Sequence, residues 1–139
     1  MTRSEAEIER LLDAAPVARL ATVAPDGRPH LVPIVFARSG GALWSPIDGK
    51  PKRGGPLARQ RNVEHEPRVA VLVDHYDADW RALWWIRVDG RASLVHGDAA
   101  AEAALRAKYP QYRDVALYAA ERLLIRIEPT GTATWGLAE

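Results

Sequence analysis

The stretch from Leu83 to Val95, LWWIRVDGRASLV, limits this chain most, because it is strand-like throughout yet carries Asp89-Gly90 at its middle. Two readings fit: a tight hairpin at the dipeptide, or one long strand that bends at a glycine bulge. Each arm of a hairpin would be short, so the bulged strand is the preferred reading, and a strand that has to bend suits a barrel. Val69-Ala70-Val71-Leu72-Val73 upstream is an uninterrupted, mostly β-branched run, which marks a buried central strand.

The remaining elements fall around these two. Ser4 and Glu7 have capping-box spacing, and Ile8, Leu11 and Leu12 recur at helical intervals, predicting a helix over Ser4–Ala15 that stops before Pro16. Val17 to Phe36 reads as a hairpin turning at Pro25-Asp26-Gly27. Pro29 and Pro33 lack N–H donors, so its second arm is expected at a sheet edge or on a bulge, with backbone groups left for something other than a strand. Ala42–Ile47 is a third strand. Leu57–Glu66 is a short helix with Pro56 suited to its first turn, and Asp74–Arg81 is polar and turn-like. Asp98 caps an alanine-rich helix to Lys108, ended by Tyr109-Pro110. A further helical turn or two is expected over Asp114–Ala120. Arg122–Glu128 is a strand, and Thr132–Trp135 continues the sheet. About six strands with peripheral helices predict a mostly β, small antiparallel barrel or sandwich, formed as a single domain over residues 1–139.

Composition removes several function classes. Apolar residues make up 47% of the chain, enough for a packed core, and a formal charge of +1 does not imply wholesale nucleic-acid binding. The absence of cysteine excludes disulfides, thiolate catalysis and Cys-ligated metal centres. His30, His65, His75 and His96 form no i,i+4 pair, so no metal site is expected. The N-terminal residues are charged and lack a long apolar run, so neither a signal peptide nor a membrane span is expected, and a cytoplasmic location follows as the default. No G-x-S-x-G, G-x-G-x-x-G or P-loop motif occurs, and no catalytic acid/base pair stands out.

What does stand out is Leu43 to Asn62, LWSPIDGKPKRGGPLARQRN. It delivers Lys50, Lys52, Arg53, Arg59 and Arg61 with no acidic residue between Asp48 and Glu64, and Gly49, Gly54 and Gly55 let backbone approach a ligand closely. Such a run is either a solvated basic loop or an anion site, most naturally for a phosphate. Trp80, Trp84 and Trp85 crowd together, and in a strand Trp84 and Trp85 point to opposite faces, so one can join the core while the other forms a ligand wall or subunit interface. A phosphate grip, an edge strand and an aromatic wall, without catalytic side chains, suit a protein whose cofactor carries the chemistry.

Arg19-Leu20-Ala21-Thr22-Val23 with Pro25-Asp26-Gly27-Arg28-Pro29-His30 resembles the opening hairpin of the pyridoxamine-phosphate-oxidase-like split-barrel family. Arg59 to Val63, Glu66 to Asp74, Arg87 to Ala92 and Thr134-Trp135-Gly136 resemble later segments of the same family in the same order. The chain looks most like the branch that uses the deazaflavin coenzyme F420, with FMN users as close relatives.

The resemblance implies a six-stranded antiparallel split β-barrel and a homodimer with cofactor sites at the subunit interface. It also implies an oxidoreductase acting on a small-molecule substrate. By position it carries Arg59 and Asn62 to the cofactor phosphate. Charge adds Lys50, Lys52 and Arg53, since the loop Gly49–Pro56 is longer than the family pattern; Leu57 stands where a further basic residue is expected, leaving that charge to Lys50 or Lys52. Backbone around Val32, Pro33, Ile34 and Val35 is implied to meet the ring, with Ser45 and Pro46 nearby, and Trp85 to approach the partner's cofactor. F420 implies hydride transfer to an unsaturated substrate. The alternatives are an FMN-dependent oxidase or reductase, and a non-catalytic protein that binds a cofactor, haem or another lipophile.

Overall fold

The computed structural model describes residues 4–47, 57–119 and 121–136. Helix α1 (Glu5–Ala14) starts where Ser4 accepts the Glu7 N–H, and it ends as the chain turns extended towards Pro16. Strands β1 (Ala18–Val23) and β2 (Pro29–Ile34) form the expected hairpin. At its turn Gly27 takes a φ of 86°, and the Asp26 carboxylate accepts from the Arg28 N–H and guanidinium.

Next come β3 (Ala37–Ser39), β4 (Ala42–Pro46), α2 (Ala58–His65), β5 (Arg68–His75), β6 (Trp84–Val95), α3 (Ala99–Lys108) and β7 (Leu124–Trp135). The sheet is antiparallel, seven strands in the order β2-β1-β5-β6-β7-β4-β3, so the chain is mostly β and an open, split barrel rather than a closed one. The extra strand is the three-residue β3, which returns to β4 through Gly40-Gly41, both at positive φ. No helical turn forms over the described part of Asp114–Ala120; a 3₁₀ turn instead occupies Pro110–Arg113, where Pro110 suits a first turn.

Leu83–Val95 supplies one long strand, but the bulge lies across from the expected place. Asp89 faces Gly131 and Gly90 faces Pro129, so the extra residue is Thr130 on β7. Gly90 serves a different need: a Cβ there would meet the Glu128 carbonyl oxygen at 2.7 Å and Ile127 Cγ2 at 2.8 Å.

One core joins inward side chains from nearly the whole sheet: Leu20 of β1, Ile34 of β2, Leu43 of β4, Val71 of β5, Ile86 of β6 and Ile125 of β7. Strands near opposite ends of the sheet share that core only because the sheet curls. Its two edge strands, β2 and β3, are consecutive in sequence and separated only by Val35-Phe36. The two edges are therefore bridged at this seam by the chain itself and by side chains, without pairing of one edge strand to the other. Ser45 Oγ donates to the Val35 carbonyl at 2.7 Å, and Tyr109 Oη accepts the Phe36 N–H at 3.1 Å. On the other face of β3 and β4, α3 packs through Ala101 and Leu105 against Ala37, Ala42 and Trp44. The strand β5 is buried on one side only, since Val69, Val71 and Val73 face the core while Ala70 and Leu72 are half-buried on the outside.

The segment after α3 is held by Glu102, whose carboxylate accepts from Arg122 at 2.6 and 2.7 Å and from Tyr118 Oη at 2.6 Å. Hydrogen bonds from Arg122 and then Tyr118 hold the Glu102 pKa down at about 2. A carboxyl depressed in the fold stabilises it above the unfolded pKa, and that stability is lost as pH falls through the folded value. Unfolding followed between pH 5 and 2 is expected to show a steeper loss in the wild type than in Glu102→Gln; parallel curves would remove this triad from the acid response.

Candidate functional site

Among the described residues, the seam is where the sheet leaves strand backbone unpaired. Ala24 N–H donates to the Arg28 carbonyl, so even-numbered β2 residues are the ones bonded to β1. Pro29, Leu31 and Pro33 therefore turn their backbone groups away from β1, the one orientation in which a proline costs the ladder no hydrogen bond. The prolines thus set both the edge position of β2 and the direction of the carbonyls it turns away from β1.

Against this edge lies a cleft of about 250 Å³, lined by Val17, Pro33, Ile34, Val35, Ser45, Pro46 and Arg59. Ser45 and Pro46 come from the buried β4, and Arg59 from the first turn of α2, where it is half-buried. Six of the residues expected from sequence thus converge from three separate segments. Val17 joins them, unmarked by any sequence signal.

The other expected residues lie elsewhere. Val32 points inward and packs on the core. Lys50, Lys52 and Arg53 lie outside the described residues. Asn62 is buried, and its Nδ2 donates to Thr22 Oγ1 at 2.9 Å, so its amide ties α2 to β1 and does not line the cleft. Asn62→Ala is expected to cost about 1–2 kcal/mol of stability by removing this buried pair. Denaturant unfolding checks it, and an unchanged midpoint would contradict the structural role.

Trp84 and Trp85 divide between the faces. Trp84 packs on the core and stacks on His75, with centroids 5.9 Å apart. Trp85 faces outward between Asp74 and Trp135 and lines a separate surface cleft with them. Among the described residues no cluster of three His, Asp or Glu side chains is placed to hold a metal, and no helix is long and apolar enough to cross a membrane.

A split barrel with a cation and free strand backbone at its seam can be placed among known proteins. The family model for pyridoxamine 5'-phosphate oxidase matches residues 4–136. The chain belongs to that family. Among solved structures it is similar to a conserved hypothetical protein from Mycobacterium tuberculosis, at 25% identity and TM-score 0.79 over 100% of this chain and 91% of the other. An F420 reductase is similar at 26% identity and TM-score 0.65, over 90% and 94% of the two chains. The haem storage protein HutZ from Vibrio cholerae shares the fold at 21% identity and TM-score 0.74, over 95% and 94%. No curated protein matches the chain significantly. Proteins of this family and fold thus include ones with flavin-like cofactors and ones named for haem, and the family includes oxidoreductases.

Proposed function

We propose that this protein is a coenzyme F420-dependent oxidoreductase that transfers a hydride between the deazaflavin and a small unsaturated substrate. The observation that carries this reading is the convergence of Pro33, Ile34, Val35, Ser45, Pro46 and Arg59 on one cleft at the seam. The residues present fit such a group. Arg59 offers a guanidinium to a phosphate, the outward-turned backbone of Leu31 and Pro33 offers carbonyls and an N–H to a polar ring edge, and Val17, Ile34 and Val35 exclude water from that side. Lys50, Lys52 and Arg53 add charge in the adjoining sequence, more than one phosphate needs, which favours a cofactor with a longer anionic tail. When bound, a reduced deazaflavin supplies the hydride; the chain's own part is to grip, orient and dry the site.

Size bears on assembly. A cleft of about 250 Å³ is below the usual range of a small-molecule site, roughly 300–1,000 Å³, which supports a site completed by a second subunit. The outer face of β2, β1 and β5 carries a row of apolar side chains, Leu31 beside Ala21 beside Ala70, with Leu31 66% exposed. Trp135 is 54% exposed next to Trp85. A homodimer that covers this face and completes the cleft is part of the proposal.

The test is parallel titration of apoprotein with F420, FMN and haem, together with sedimentation. Quenching of F420 fluorescence by a dimer, with weaker FMN and haem binding, is expected. Preferential FMN or haem uptake would overturn the cofactor assignment, and a monomer at micromolar concentration would overturn the shared site.

A further inference from the structure

A second cavity, of about 430 Å³, lies between the end of α1 and the end of α3, and it shares Val35 with the cleft at the seam. Its walls are mostly apolar or aromatic: Pro16, Val35, Tyr109, Tyr112 and Val115. Its volume is within the range of small-molecule sites.

Lys108 brings a cation into this setting. Its Nζ donates to the Leu12 carbonyl at 3.1 Å and sits 3.7 Å from the centre of the Phe36 ring. Those contacts use part of what an ammonium with three protons can offer. The carboxylate nearest to hand, Asp13, also borders the cavity but is gripped by Arg38 in two hydrogen bonds of 2.8 and 2.9 Å, and Glu9 lies 3.5 Å from the same guanidinium. Burial lowers the Lys108 pKa to about 8, with Asp13 opposing that shift and Arg38 adding to it. The protein therefore under-compensates this charge. The Tyr109 hydroxyl is committed to the Phe36 N–H and carbonyl and to the Pro16 carbonyl. A ligand entering here meets the Lys108 ammonium on a mostly apolar wall whose one carboxylate among the described residues, Asp13, is already paired with Arg38.

We propose that this cavity binds a small apolar monocarboxylate, its carboxylate on Lys108 Nζ and its body between Tyr109, Tyr112, Pro16 and Val115. A single cation selects a monoanion, because a second negative charge in the same apolar enclosure would have no partner. The site does not depend on which cofactor the seam holds.

The experiment is calorimetric titration of the full chain with 2-naphthoate and its neutral isostere 2-naphthamide. Wild type is expected to bind the acid at least about tenfold more tightly than the amide, the scale of one charge-assisted contact. Lys108→Met is expected to remove that preference while leaving amide binding unchanged, and Lys108→Arg to retain it. Val115, 60% exposed at the rim, gives an independent variant. Val115→Trp is expected to block both ligands while keeping Lys108, and it decides the matter if Lys108→Met does not fold. Equal affinity for acid and amide in wild type, unaltered acid binding in Lys108→Met or Val115→Trp, or no binding of naphthoate at millimolar concentration would each overturn the site.

Discussion

In an Arg59→Glu variant, cofactor affinity is expected to fall by about 2–4 kcal/mol, a loss of roughly thirty- to a thousandfold. Arg59 is half-buried on the wall of the seam cleft, in the first turn of α2. A guanidinium there attracts a phosphate through charge-assisted hydrogen bonds, and replacing it by a carboxylate turns that attraction into repulsion in a partly dry site. Arg61, two residues along the same helix, is exposed and does not line the cleft. Arg61→Glu is therefore expected to cost much less, because solvent screens an exposed charge. Fluorescence titration of both variants, with thermal unfolding to establish that each is folded, is the measurement. Equal losses in the two would reduce Arg59 to a contributor to general field, and no loss in Arg59→Glu would remove it from the site.

Gly90→Ala is expected to destabilise the fold by about 3 kcal/mol, at the top of the range for overpacking. Most clashes with a new methyl group are relieved by a flexible side chain moving away. Here one of the two atoms it meets is the Glu128 backbone oxygen, in the ladder that joins β6 to β7, and the other is a methyl of Ile127, which is buried in the core. Relief would require the strands to separate beside the Thr130 bulge, where Thr130 Oγ1 already bonds the Asp89 carbonyl at 3.2 Å. Urea unfolding reads the effect. A control at Gly131, where an added Cβ meets nothing within 4 Å, is expected to change stability far less. Similar midpoints for Gly90→Ala and wild type would mean that the β6–β7 ladder gives way easily.

Much of this architecture is legible from local chemistry. The Ser4 and Asp98 caps, the Pro25-Asp26-Gly27 turn and the edge position of β2 each follow from a residue whose backbone preference is strong and whose effect is short-ranged. The features that only the whole fold explains share the opposite property. Asp89-Gly90 looks like a bulge in its own strand, yet its glycine answers a close approach by Glu128, far along the chain. Ala37–Ser39 is too short for its alternation to register, and it is a strand only because β4 lies beside it. Asn62 looks like a phosphate ligand by position, but its amide turns to Thr22 on β1.

The sequence by itself determined most of the strands and helices, the caps, turns and prolines that bound them, and that cations gather between β4 and the end of α2, because those features act over a few residues. Only the tertiary structure decided that Pro33–Val35, Ser45-Pro46 and Arg59 share one cleft, that Thr130 carries the bulge, and that Lys108 stands on a mostly apolar wall beside Phe36. The reason is the curl of the sheet. It brings its two edges back to the single bend at Val35-Phe36, and no local preference along the chain records how far a sheet must curl before its ends meet.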